Sequence, residues 1–416
     1  MTAARSVFSA FVAEHRRRRT LVVQPRMGFS EPEAMRRGLR AVAGAGVPAV
    51  GTVTLDSYTR TGQHDLAAMS VQSGVPLNGF PLVALGPAVT AGLVADLPGF
   101  PVQVRHGSAQ PEDIFAVMLE AGLDASEGGP VSYCLPYSSV PLRTAAKAWS
   151  RSASLLAGQA DRGVDCHLES FGGCMLGQLC PPGLLVALSV LECLFFAEHG
   201  VRSVSASYAQ QTSPEQDAEA LWAMRRLCAE ELAGVDHHLV LYTYMGLFPE
   251  SAAGARELVA ESVRLAVRTG TERLIVKTTA EAHRIPTVEE NISALQLAHA
   301  TALAEPAPAG PPGETEVYAQ ARLLVDEVRS LAPTLTEALP AAFERGLLDV
   351  PYCLHPDNGG ETRCVLDDEG RLQWWHTGRM PLPPALGGRR GDDRVSATRL
   401  LADLSYHRRR LDPVLS

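Results

Sequence analysis

Apolar positions along this chain fall into short continuous runs separated by longer stretches in which apolar residues recur every three or four places. The first pattern is that of buried strands and the second that of helices with one face in a core. Runs at 21–24, 49–55, 80–85, 101–104, 131–135, 164–168, 204–208, 239–244 and 274–276 read as strands. Start signals mark several helices between them. Ser30 ahead of Glu31-Pro32-Glu33 predicts a helix to about residue 45, and Ser213-Pro214-Glu215 one to about 232. Thr287 with Glu290 three places on forms a capping box before an apolar stretch at 292–304. Strand and helix alternating across 21–305 predict an α/β protein, a closed (β/α)8 TIM barrel. An open doubly wound sheet fits less well, because no GxGxxG follows the first strand. Nine strand candidates for eight places require that at least one be a loop or an extra ribbon.

The Pro- and Gly-rich stretch 306–313 has the composition of a linker and closes the barrel. Before the barrel, 1–20 reads as a short amphipathic helix ending in His15-Arg16-Arg17-Arg18-Arg19. A transit peptide is the alternative, disfavoured by Glu14 and by the strand that starts at Leu21. Beyond the linker, 314–416 reads as two helices, at 314–329 and 335–345, and a small α+β appendage around Trp374-Trp375. The tail after Gly387 is basic and polar, the composition of a partly mobile end.

Bulk properties narrow the function. A net charge of -9 excludes nucleic acid and anionic membrane as main partners. The longest apolar run, 183–197, is broken by Glu192 and falls short of the roughly 20 residues that cross a bilayer, so it reads as a buried helix. The 8 cysteines include no CxxC pair and no zinc-type spacing, and read as reduced, mostly buried thiols in a cytoplasmic protein.

Polar residues gather where the strands stop. The first ends in Gln24-Pro25-Arg26-Met27-Gly28, the second in Asp56-Ser57-Tyr58-Thr59-Arg60, and a later one in Arg105-His106-Gly107. Barrels build their sites just past the carboxyl ends of strands, so Arg26, Arg60 and Arg105 point into one pocket. Guanidinium forks grip carboxylates in pairs, which suits a small dicarboxylate. The other reading is structural, with each arginine paired to an acid at the rim. The stretch from Ser126 to Tyr137 adds one carboxylate, Glu127, as partner for a substrate ammonium group, and two phenols, Tyr133 and Tyr137, as orienting donors. Lys277 and Glu281, four apart, follow another strand and share a helical face or a surface ion pair. Asp165-Cys166-His167 has the Asp-x-His of a cobalamin-binding signature, but Ser170 stands where its glycine belongs, so the segment reads as a barrel strand.

These motifs, with Leu77-Asn78-Gly79-Phe80-Pro81, Met245 to Pro249, Ile275-Val276-Lys277-Thr278 and Ile285-Pro286-Thr287, occur in an order that resembles the large (epsilon) subunit of adenosylcobalamin-dependent glutamate mutase, also called methylaspartate mutase. The resemblance implies an isomerase that interconverts L-glutamate and (2S,3S)-3-methylaspartate by radical chemistry. It implies adenosylcobalamin held jointly with a small sigma subunit bearing Asp-x-His-x-x-Gly, and a homodimer of this subunit within a heterotetramer. It further implies that Arg26, Arg60 and Arg105 bind the substrate carboxylates, with Glu127 at the amino group and His106, Tyr133 and Tyr137 orienting. Gly28, Asn78, Pro136, Phe248, Lys277, Glu281 and Ile285 match cofactor-contacting positions, and Phe171 and Met245 match residues that line the cavity. Pro130, Cys134 and Gly172-Gly173-Cys174 vary the pattern and leave substrate preference open. A mutase for another amino acid, and a non-catalytic small-molecule-binding barrel, are the alternatives.

Overall fold

The computed structural model describes residues 4–175, 179–306, 310, 313–387 and 395–412. Eight parallel strands form one sheet: β1 (Val22–Pro25), β2 (Gly51–Thr54), β3 (Val102–Arg105), β4 (Ala125–Gly128), β5 (His167–Ser170), β6 (Ser203–Ala209), β7 (Asp236–Tyr242) and β8 (Arg273–Val276). Each pairs with its neighbour in sequence, β8 returns to β1, and the bridge from Val23 to Ala49 joins β1 to the entry of β2. The sheet is thus a TIM-type barrel with helices outside, as the alternation predicts.

Three strand expectations are corrected. Residues 131–135 are a buried turn; β4 is Ala125–Gly128, whose Ala-Ser-Glu-Gly sequence has no β-branched residue and is held extended by strands on both sides. At 80–85 only Phe80 bridges, to Leu55, and the chain then enters the helix Leu82–Ala91, kinked at Gly86. Residues 164–168 are two pieces: Val164–Asp165 pairs with Ala4–Arg5, and β5 begins at His167. The helix after β1 starts at Pro32, one place later than a Ser30 cap implies, with Glu31 at the cap position and no side-chain bond. Ser213 caps its helix through Gln216 N, and the Thr287–Glu290 capping box is complete.

The floor of the barrel is closed by the helix Val7–Arg17. Phe8 stacks on His167 at 4.8 Å, with the Arg273 guanidinium 4.9 Å from its ring. Ser9 Oγ meets Ser203 Oγ at 2.8 Å, and Val7 N donates to Asp124 Oδ2. On the outer shell, the helix Pro182–Glu198 is buried from Pro182 to Phe196, between the barrel and the helices Pro214–Glu231 and Glu316–Arg329. That environment accounts for its apolar surface on all sides. The helix Leu335–Arg345 packs beside it, and the hairpin β9 (Arg363–Leu366) and β10 (Leu372–His376) buries Trp374.

Residues 307–309 and 311–312 of the expected linker lie outside the described residues. In the tail, residues 397–411 are folded. Those residues form the helices Ala397–Leu404 and Tyr406–Leu411, and His407 docks edge-on against Tyr244 at 4.5 Å. All eight cysteines are free and buried. Among the described residues, no helix is long and apolar enough to cross a membrane.

Candidate functional site

Strand β3 ends in Arg105 and β4 carries Glu127 next to it, because a parallel sheet brings successive strand ends to one rim. Arg105 Nε faces Glu127 Oε2 at 2.9 Å as an ion pair without hydrogen-bond alignment. Burial disfavours the Arg105 charge, but the adjacent Glu127 carboxylate more than opposes this and leaves its pKa raised. Among the described residues, the one hydrogen bond from the Arg105 fork is Nη2 to Tyr242 Oη, at 3.2 Å, so the remaining donors are free for a ligand.

Glu127 is buried and accepts hydroxyl protons from Tyr133 and, at 2.8 Å, from Tyr242. The turn carrying Tyr133 requires glycine twice. A Cβ on Gly128, at φ 130°, would meet Trp149 and Tyr133 at 2.5 Å, and one on Gly129 would come within 2.0 Å of Glu192 Oε1. Glu192, on the buried helix, holds this turn by accepting from Val131 N, Ser132 N and Ser132 Oγ. Burial pushes the Glu192 carboxyl up from 4.5 to about 7.

His106 lies between Tyr133, Phe115 and Trp149, with its Nδ1 accepting from Ser108 N at 3.0 Å. Burial first, then repulsion from Arg60 and Arg105, depress its pKa to about 3, so the ring is neutral. That bond places the ring hydrogen on Nε2, a buried donor that faces the Glu127 backbone without an aligned hydrogen bond. Phe171 packs against Tyr133 at 5.1 Å and Tyr242 at 5.4 Å. The Tyr137 ring meets Tyr133 edge-on at 5.8 Å, and its hydroxyl feels the charges of Arg26, Glu127 and Arg105.

A second cluster stands at the ends of β1 and β8. Glu281 Oε1 accepts from Lys277 Nζ at 2.8 Å and Arg26 Nη1 at 3.2 Å. Lys277 is buried beside the Phe248 ring, 5.0 Å away, and burial lowers its pKa to about 8 against the pull of Glu281. The pair is therefore largely buried rather than a surface ion pair.

The other expected positions fall around these clusters. Arg60 lies over Gly107, with its Nε buried and without a partner. Gly28 is tight against the Thr54 carbonyl, and Asn78 is exposed and accepts from Ser57 N at 2.9 Å. Pro136 and Met245 are half-buried, and Ile285 is 66% exposed. Two clefts of about 470 and 500 Å3 lie on the helical shell and contain none of the expected site residues.

Sequence reasoning missed Tyr242, Glu169 and Glu192. The signal was a polar residue at the inward place of a central strand: Glu169 and Arg273 are both fully buried and paired to each other inside the barrel. Gln24, Gln103 and Ser205 bond to that pair, forming a polar layer below the site.

The fold and these clusters define a (β/α)8 barrel with a charged, largely buried site where its strands end. The sequence profile of the methylaspartate mutase E chain (MutE) family matches residues 3–391, and the chain belongs to that family. It is similar to the glutamate mutase epsilon subunit of Halobacterium salinarum, 31% identical over 87% of this chain and 78% of that one. The epsilon subunit of Yersinia enterocolitica is 29% identical over 79% of this chain and 72% of its own length. That of Desulfitobacterium hafniense is 28% identical over 90% and 81%.

Proposed function

We propose that this chain is the catalytic subunit of an adenosylcobalamin-dependent mutase interconverting L-glutamate and (2S,3S)-3-methylaspartate, with residues 21–305 as its catalytic barrel. The observation that carries the reading is the Arg105–Glu127–Tyr133 cluster, in which an arginine with free donors stands beside a carboxylate already held by two phenols. Arg105, with Arg26 and Arg60, binds the two substrate carboxylates. Glu127 meets the ammonium group, and the neutral His106 and the phenols of Tyr133 and Tyr137 orient the substrate. Phe171 and Met245 line the cavity and keep water out.

The second cluster fits a large cofactor with sugar hydroxyls. Glu281 and Lys277 offer an acceptor and a donor at one point, Phe248 flanks them, and Ile285 adds exposed apolar surface. Those residues, with Gly28, Asn78 and Pro136, hold adenosylcobalamin against a separate small subunit bearing Asp-x-His-x-x-Gly, in a heterotetramer built on a homodimer of this chain. When bound, the cofactor supplies the radical chemistry of the rearrangement. This chain positions the substrate beside it and manages the amino-group proton.

The test mixes the purified protein with a cobalamin-binding small subunit of this kind, adenosylcobalamin and L-glutamate. Formation of 3-methylaspartate, followed by mass spectrometry, is expected. No isomerised product at any small-subunit concentration would sink the reading, and turnover of a different amino acid in a substrate panel would redirect it.

A further inference from the structure

Beside Glu127, on the neighbouring strand β5, lies a second buried acid, Glu169, that the functional reading does not use. Tyr242, the last residue of β7, stands between the two. Its hydroxyl is 2.8 Å from Glu127 Oε2 and also within bonding distance of Glu169 Oε1, while its oxygen accepts from Arg105 Nη2 at 3.2 Å. A phenol has one proton to donate, so it serves one carboxylate at a time. The other oxygen of Glu169 accepts from Arg273 Nη2 and Gln103 Nε2, and both Glu169 and Arg273 are sealed from solvent. Glu169 is paired with Glu127 across β4 and β5, and the hydrogen-bonded link between the two carboxylates runs through Tyr242.

We propose that Tyr242 is a positioning residue whose single hydroxyl proton is shared between Glu127 and Glu169, so that the sealed Glu169–Arg273 pair sets how readily Glu127 takes a proton from the substrate ammonium group. The inference rests on the functional reading above. While Glu127 is a carboxylate, Tyr242 can donate to it. When Glu127 takes the proton, the ammonium N–H bond breaks, its electron pair stays on nitrogen, and an O–H bond forms on Glu127. The Tyr242 hydroxyl then turns wholly to Glu169, a rotation about one C–O bond.

The groups facing Glu127 are few and come from every neighbouring element. They are Arg105 and His106 from the end of β3, Tyr133 and Tyr137 from the turn after β4, Cys174 past the end of β5, whose thiol burial keeps protonated, and Tyr242 from β7, with Arg60 beyond Gly107. Glu169, Arg273 and His238 lie behind Tyr242. Burial, reinforced by Glu127 and Glu169 against the pull of Arg105, keeps Tyr242 protonated, so it acts as a donor and not as a base.

The test is the pH profile of kcat/KM for L-glutamate, measured on wild type, Tyr242→Phe and Glu169→Gln, each assembled with the small subunit and adenosylcobalamin. Tyr242→Phe keeps the ring and removes a donor to the Glu127 carboxylate, so the acid limb moves up by about one pH unit, a roughly tenfold loss below the wild-type limb. Glu169→Gln removes a competing acceptor and a nearby negative charge, so its acid limb moves down. A residue that only supports the fold would not shift the two limbs in opposite directions. Coincident acid limbs for wild type and Tyr242→Phe would overturn the inference while leaving the functional reading intact. An inactive wild type would take down both. If Glu169→Gln fails to fold, Tyr242→Phe decides by itself.

Discussion

Two deeply buried arginine–glutamate pairs among the described residues, both inside the barrel, are built to opposite ends. Arg273 and Glu169 are fully buried, and every described polar neighbour is engaged: Gln24, Gln103, Ser205 and His238 complete the Arg273 fork. Arg105 and Glu127 are nearly as buried, yet the Arg105 fork has donors left over and the Nε2 of neighbouring His106 has no aligned hydrogen bond. Burial is thus no guide to role here. A buried pair whose hydrogen bonds are complete supports the fold, whereas one left incomplete is ready for a ligand.

That contrast breaks if the lower pair proves dispensable. Arg273→Leu would leave Glu169 buried without a counter-ion and is expected to lower stability by about 3–5 kcal/mol in chemical denaturation. Phe8→Ala, which removes the ring beneath Arg273 and His167, should lower it by about 3 kcal/mol while leaving turnover per folded molecule unchanged. Arg105→Lys tests the upper pair. It keeps the charge but not the fork, so kcat/KM for an amino dicarboxylate should fall about 100-fold with a smaller change in melting temperature than Arg273→Leu produces.

The smallest effect concerns the turn above the site. Glu192 titrates near 7 in the fold against 4.5 as its ordinary value, so the native state holds the extra proton between those values. Stability therefore falls as pH rises through that window, by up to about 1.4 kcal/mol per unit from this group. Glu192→Gln should flatten that slope in melting experiments from pH 4.5 to 7. Asp217, pushed up to about 8 by burial, contributes a remaining slope of the same sign.

How much of this could be read from the sequence depended on whether local preference agreed with surroundings. Strands such as Asp236–Tyr242 and Arg273–Val276 declared themselves through apolar runs. Ala125–Gly128 did not, since its extended form is imposed by β3 and β5, and the apolar run after it packs as a turn over Glu192. Arg105 and its glycine neighbour stood out because such residues at a strand end are conspicuous, whereas the pairing of Arg26 with Glu281 in a separate cluster was not foreseen. Tyr242 was not foreseen either, since a tyrosine closing an apolar run looks like core, and only the register of the barrel places it between Glu127 and Glu169.

The helix that closes the barrel floor also constrains the order of assembly. Val7–Arg17 is made before any barrel strand, but its polar partners Asp124, Ser203 and Asp236 are made far later. During synthesis its apolar partners Val22 and Val50 emerge early, but its full docking surface is complete only once β7 has emerged. A helix made ahead of the barrel strands is thus among the last to be fully seated, and until then Phe8 and Val12 are only partly covered and open to whatever else in the cell binds nascent apolar chain.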